Sequence, residues 1–295
     1  MVRVIGCVSG KGGSGKSKTN LGVACAVAMS PNRPRVLLVD ICQDQGMLSF
    51  MFSEKKNRSG VGIGSILTGL VAGRSTAWAI QQFEEALDTL VVSHEGDVRI
   101  DFLPAAARVV GELSLHGWKE SKHGALLSTL VAAIQDRYDY MIFDTVPLVR
   151  IHSTASVLAI ADAVVVVLDV QKYQNVGGLR DFLQDIREYG ANVIGVVQNL
   201  YDPKLAASRL AKIYVDGICA GAGIPIIEVI KRSGSVLNSD DVFTDDTGSK
   251  STGTYIGLEA DPSGRSRILA VAKQFENIAG CLKDACAELE AVSNG

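Results

Sequence analysis

The chain has 295 residues, 47% of them apolar and 21% charged, with a formal net charge of −3. These are ordinary figures for a globular protein with a substantial core. They exclude a uniformly basic nucleic-acid binder, leaving room only for a local basic patch. Aromatics are scarce at 6%, which favours a close-packed α/β fold over an all-β one. The six cysteines, Cys7, Cys25, Cys42, Cys219, Cys281 and Cys286, form no CxxC pair. They make no metal-type spacing with His94, His116, His123 or His152 and read as free thiols of a reducing cytosol. No leader pattern is seen at residues 1–9, and no apolar run approaches the ~20 residues that span a bilayer. The expectation is a cytoplasmic protein that does not enter a membrane.

In chain order, Val2–Ser9 reads as a buried strand and Thr19–Met29 as a helix. Arg35–Val39 and Val98–Leu103 are strands, the latter followed by Pro104. Then come a helix over Gly124–Asp136, a strand at Tyr140–Phe143, a helix over Thr154–Ile160 and a strand at Ala163–Leu168. A helix over Gly178–Tyr189, a strand at Asn192–Val197, a helix over Lys204–Ala220 and a strand at Ile226–Val229 complete the alternation. Ser266–Ala291 is helical in most of its length. The strands are continuously apolar, as suits strands covered on both faces. Strand–helix alternation implies a doubly wound, mostly parallel sheet of about seven or eight strands flanked by helices. No linker divides the chain, so residues 1–295 read as one domain. The polar stretch 233–264 is expected to be a long mobile loop within it, and Ser53–Ser59 a second one.

Residues Gly10, Gly15, Lys16 and Ser17 fit G-x-x-x-x-G-K-[ST], between an expected strand and an expected helix. Glycines let successive backbone N–H groups curl inward toward phosphate oxygens, and the helix N-terminus adds positive potential. Lys16 supplies a point charge to the β/γ-phosphates, and Ser17 offers a hydroxyl to Mg²⁺. Lys11, at the start of the loop, cannot easily reach those phosphates from the same side as Lys16. The nucleotide of a partner subunit is its alternative target.

The run Lys11-Gly12-Gly13-Ser14-Gly15-Lys16-Ser17 resembles the deviant Walker A box of the ParA/MinD superfamily of P-loop ATPases. The resemblance implies an ATP-bound homodimer in which Lys11 crosses to the other subunit's ATP. It also implies that Asp40, ending VLLVD, is the magnesium-associated aspartate, and that Asp144, ending YDYMIFD, is the Walker B carboxylate. Thr145-Val146-Pro147 is loosely similar to switch II, and Asp101–Ala105 to a strand ending in Leu-Pro. Asn199 resembles the asparagine that reads adenine, an edge that an amide can both donate to and accept from. Pro225 and Ile230–Ser233 resemble the loop flanking the base. The site implied is therefore Lys11, Lys16, Asp40 and Asp44 for catalysis. The loop 10–18, Lys18 included, and Asn199 would hold ATP, and Ser17, Asp40 and Asp144 the magnesium.

Two positions depart from the pattern. Cys42 stands where a second aspartate would orient the attacking water, and a thiol is a poor base for that task at neutral pH. Asp44, two residues on, is the substitute if the loop bulges. Lys18 replaces a threonine that would touch the α-phosphate. Both changes weigh on hydrolysis more than on binding, and the expected enzyme is a slow ATPase.

Several outputs compete. One is partition or cargo positioning by ATP-dependent, nonspecific DNA binding, with release stimulated by a ParB-like or cargo adaptor protein. Lys204, Arg209, Lys212, Lys231, Arg232, Arg265, Arg267 and Lys273 supply candidate phosphate contacts in the C-terminal half, which would make the protein nucleoid-associated. A regulatory or scaffold dimer locked on its nucleotide, with little hydrolysis, is the alternative. MinD-like membrane positioning needs a basic amphipathic C-terminal helix, whereas the tail Cys281–Glu290 is acidic. An iron–sulfur electron carrier lacks a cysteine between Pro104 and Asp144, and a small kinase would not need Lys11. No DNA-reading extension is seen before the glycine loop, so binding to a specific operator is not expected. Asp44→Ala should abolish ATP turnover while sparing ATP binding; an unchanged rate in that variant removes Asp44 from the mechanism.

Overall fold

Runs such as Val36–Asp40 and Ala163–Asp169 are too short for helices and apolar throughout, so they are stable only where both faces are covered. In the structure, a computed structural model, they lie at the centre of one sheet. The structure describes residues 2–42, 47–52, 61–93, 97–105, 120–147, 152–232, 243–244, 250–251 and 265–293. Its full-length strands are β1 (Arg3–Val8), β2 (Val36–Asp40), β3 (Asp88–Ser93), β4 (Val98–Leu103), β5 (Tyr140–Asp144), β6 (Ala163–Asp169), β7 (Val193–Tyr201) and β8 (Ile226–Lys231). Two-residue strands, β9 (Phe243–Thr244) and β10 (Lys250–Ser251), extend one edge. The order is β8-β7-β6-β1-β5-β2-β4-β3-β10-β9. From β8 to β4 every pairing is parallel, and β3 joins β4 antiparallel.

The doubly wound parallel sheet expected from the alternation is therefore present, with eight full strands. The stretch 233–264 contributes the β9 and β10 pairs, and its remaining residues lie outside the described ones, as do residues 53–59. Between β2 and β4 the chain also folds as α2 (Met47–Phe52), α3 (Ile63–Val71), α4 (Thr76–Ala86) and β3, which the strand–helix pattern did not delimit.

Side-chain alternation along each strand sorts the two layers. Ile5, Cys7, Leu38, Ile142 and Val165 pack with α1 (Lys16–Ala28) and α10 (Arg265–Ser293) on one side. Val4, Leu37, Val39, Met141 and Phe143 face α3, α4 and α5 (Glu120–Ile134) on the other. Val164, Val166 and Leu168 meet α8 (Leu179–Glu188) and α9 (Ala206–Ala222). Among the described residues no helix is long and apolar enough to cross a membrane.

The buried helix α1 begins at Lys16, three residues earlier than the apolar pattern placed it, because left-handed Gly15 (φ 80°) ends the loop and opens the helix. It is clamped by α10. A Cβ built on Gly22 would lie 2.4 Å from ring carbons of Phe275, so the two helices approach as closely as a missing side chain permits. Overpacking of this kind costs about 1–3 kcal/mol, more than the ~1 kcal/mol that alanine gains over glycine in a helix. Gly22→Ala should therefore lower the unfolding free energy by up to about 2 kcal/mol in denaturant titrations. Adding Phe275→Leu should recover part of the loss; a stabilised Gly22→Ala protein would contradict this packing.

Candidate functional site

The loop between β1 and α1 lies at the carboxyl ends of the central strands, beside the ends of β2, β5 and β7. Gly13 (φ 77°) and Gly15 (φ 80°) hold the left-handed conformations that let it curl. Gly15 has a second reason to lack a side chain, since a Cβ there would sit 2.1 Å from Asn199 Nδ2. Asn199 Nδ2 donates to the Ser14 carbonyl at 2.8 Å, and Asn199 Oδ1 accepts from Leu200 N at 2.8 Å. Leu200, next in line, is in the left-handed region (φ 59°), an uncommon state for a leucine. The structure thus places Asn199 under the loop, with both ends of its amide engaged by backbone. A cavity of about 310 Å³ opens over the loop. Gly12, Gly13, Ser14, Gly15, Lys16, Ser17, Lys18 and Asn199 line it together, with Leu200, Ile230 and Phe275 as its apolar wall. Gly10 lies on the neighbouring cavity with Lys11, which borders both. The size and the mixture of apolar wall and convergent polar groups suit a small-molecule site.

Lys16 is buried, and its ammonium donates to Asp144 Oδ1 and to the Thr145 carbonyl. Asp144 is fully buried, and its Oδ1 also accepts from Asn20 Nδ2 at 2.7 Å. Asn20 sits one turn beyond Lys16 on the same face of α1, the spacing at which helical neighbours meet a common partner. Asp144 Oδ2 is buried with no hydrogen-bond partner among the described residues. Thr145 ties the strand end to β1 through Oγ1 to the Cys7 carbonyl, 2.7 Å.

Asp40 is directly opposite Asp144 in the β2–β5 register. It too is fully buried, and its oxygens accept from Cys42 N (2.9 Å), Ser49 N (2.9 Å) and Ser49 Oγ (2.7 Å). Ser49 Oγ in turn accepts from Ala105 N at 2.8 Å, so the Leu103-Pro104-Ala105 turn braces this carboxylate. Burial, and then the charge of Asp144, push the Asp40 carboxyl up to about 6, against the pull of those three donors. Burial likewise pushes the Cys7 thiol up to about 12, so it is an inert core group.

Lys11 is exposed, and its ammonium donates to the Gln174 carbonyl in α7 (Tyr173–Val176). The two loop lysines thus occupy different places, one in the core and one at the surface. Ser17 is half-buried in the first turn of α1, and Cys42 is buried at the cavity margin. Asp44 lies outside the described residues. Of the C-terminal cations, Lys212 pairs with Asp216 at 2.7 Å and Lys273 with Glu276 at 3.5 Å. Lys231 and Arg232 are exposed at the cavity rim, Lys204 and Arg209 are exposed at the start of α9, and the side chains of Arg265 and Arg267 lie outside the described residues. Sequence reasoning missed Asn20 and Ser49. The four-residue step from Lys16 was a usable signal for Asn20, whereas Ser49 reaches Asp40 only through the tertiary fold.

The chain has relatives among known proteins. Residues 2–195, more than half of the chain, match the AAA_31 family, described as an AAA domain. An uncharacterised Pseudomonas putida protein from the gidB 3′ region is 26% identical over 215 residues, covering 71% of this chain and 74% of that one. Among solved structures, the ATP complex of a Cyanothece McdA variant superposes with a TM-score of 0.69 at 14% identity, covering 96% of each chain. A ParA family ATPase from Chlorobium tepidum gives 0.61 at 20% identity, over 95% of this chain and 99% of that one. The chain belongs to the AAA_31 family of AAA domains, and it carries the fold of the McdA and ParA family structures on which it superposes.

Proposed function

We propose that this chain is a slow ATPase switch of the ParA type. It binds Mg-ATP on residues 10–18, closes as a nucleotide-sandwich homodimer, and in that state binds DNA nonspecifically to segregate or position DNA or another cargo. The carrying observation is the division of labour between the two lysines of one glycine loop, Lys16 inside and Lys11 at the surface. A phosphate site alone accounts for Lys16, whereas the exposed Lys11 is available to a second subunit.

The residues fit a magnesium nucleotide. Hard oxygen donors are present, the Ser17 hydroxyl on the cavity wall and a buried Asp144 oxygen with no hydrogen-bond partner among the described residues. Among the described residues no cluster of three or more His, Cys, Asp or Glu forms. When bound, magnesium supplies positive charge to the β- and γ-phosphate oxygens. The protein supplies backbone N–H groups from Gly12 to Lys16, the Lys16 ammonium for the phosphates and the Ser17 hydroxyl for the metal. Asp40, braced by Ser49, and Asp144, braced by Asn20, would hold the metal through its water. For Lys16 to serve phosphate it must exchange Asp144 for the nucleotide, so its buried ion pair is the resting state of the switch. Ile230, Leu200 and Phe275 offer an apolar slot for the base, with Asn199 at its floor.

Lys204, Arg209, Lys231 and Arg232 are the exposed cations that support phosphate-backbone contacts; Lys212 and Lys273 are engaged by their own acidic neighbours. A ParB-like or cargo adaptor would stimulate release, and the setting is cytoplasmic, on the nucleoid. Cys42 favours a second reading, a nucleotide-locked regulatory dimer with little hydrolysis, because a buried thiol replaces the water-orienting aspartate. Single-turnover hydrolysis with and without DNA separates the two.

Size-exclusion chromatography with ADP, with ATP and with ATP plus DNA should show a dimer only with ATP, and a further shift with DNA. Lys11→Ala should stay monomeric in all three; dimerisation at wild-type ATP concentrations in that variant would reject the crossing lysine. Asp40 adds a pH signature. Its folded pKa of about 6 lies above the ordinary 3.8, so the native state holds an extra proton between those values. The associated stability is full below about 4 and is lost as pH rises through about 6, a span worth about 3 kcal/mol. Thermal melts without magnesium should fall from pH 5 to pH 7.5, and Asp40→Asn should flatten that slope; an unchanged slope would show that Asp40 does not titrate in that range.

A further inference from the structure

We infer that Asn20 is a positioning residue, which holds the Asp144 carboxylate in its metal-facing orientation once Lys16 has left it for phosphate. The inference rests on the nucleotide reading above and deepens it. Asp144 Oδ1 has two side-chain donors, Lys16 and Asn20, spaced four residues apart on one face of α1. Their freedom differs. Lysine carries its charge on a flexible four-carbon stem and can swing toward a phosphate while the helix stays in place. Asn20 has a short side chain and is fully buried, so its amide stays where the backbone of α1 puts it.

The asparagine also carries a cost that packing alone does not explain. Asn20 Oδ1 is buried with no hydrogen-bond partner among the described residues, and such an atom costs about 1–3 kcal/mol. Leucine has nearly the same shape and would avoid that cost. What leucine lacks is the Nδ2 donor, and its one acceptor here is Asp144 Oδ1 at 2.7 Å. With that oxygen fixed, the other oxygen of the carboxylate, which has no partner among the described residues, would keep a single direction for a metal-bound water. Without Asn20, departure of Lys16 would leave a buried carboxylate with no side-chain donor among the described residues and free to rotate. Partners that orient metal-associated groups in this way are typically worth 10–100-fold in metal affinity.

The test is Asn20→Leu, read as the gain in affinity for a fluorescent ATP analogue on going from EDTA to magnesium, alongside the melting temperature. The expected result is a magnesium-dependent gain reduced by about tenfold or more, with metal-free affinity and melting temperature little changed. A gain equal to that of wild type overturns the proposal. So does a parallel loss of both affinities with a lowered melting temperature, which would mark Asn20 as merely structural. If wild type itself binds the analogue no better with magnesium, the nucleotide reading fails, and that failure is seen before any variant is made. Should Asn20→Leu not fold, hydrogen exchange of the Asn20 side-chain amide in the wild-type magnesium–nucleotide complex decides: protection supports the proposal, and free exchange overturns it.

Discussion

One buried ion pair organises this molecule. The ammonium of Lys16 and the carboxylate of Asp144 meet beneath the glycine loop, where both are almost wholly shielded from bulk water. A charge in such a place is tolerated only when paired and hydrogen-bonded. The surroundings meet that condition, with the Thr145 carbonyl on the lysine and the Asn20 amide on the aspartate. The pair ties the loop, the first turn of α1 and the end of β5 into one unit, and the register of β2 against β5 brings Asp40 to the same place. Breaking such a pair without a replacement is expensive, typically about 3–5 kcal/mol. A polyanion that takes over the lysine, and a cation that takes over the carboxylate, are therefore each the other's compensation.

The supporting parts of the site explain sequence features that look unremarkable alone. The serine of α2 and the turn after β4 serve a single carboxylate, because Asp40 binds Ser49 and Ser49 binds the backbone of Ala105. Asn199 at the end of β7 spans from the opposite side to the Ser14 carbonyl. The loop is thus held from beneath by strands that are distant in sequence. This is how a flexible glycine run can present a fixed set of backbone donors.

Much of this was readable from the residues. Continuous apolar runs identified the buried parallel strands, since only a strand covered on both faces dispenses with alternation. Gly10, Gly15, Lys16 and Ser17 located the loop, because their chemistry is local. The region between β2 and β4 was not readable. Its short helices owe their stability to docking on the sheet, as Ile66, Phe83 and Leu67 show by complete or nearly complete burial. Strand β3 pairs antiparallel with β4, near one end of the sheet, and follows no crossover pattern. In the site, the strand-end aspartates were visible from position, but the mutual arrangement of Asn199 and Ser14, 185 residues apart, was not. An amide suited to reading a base is equally suited to pinning a backbone, as Asn199 does here with Ser14.

The contact of Phe275 with Gly22 ends at the ligand cavity, because the same ring forms part of the cavity wall. One aromatic side chain is therefore a wedge between helices on one edge and a boundary of the binding space on another. Cohesion of the C-terminal helix and the shape offered to a guest molecule are consequently inseparable traits in this protein. Drift at position 275 that enlarges the pocket must also loosen the clamp, so evolution can widen ligand choice here only by surrendering rigidity of the helix that carries Lys16.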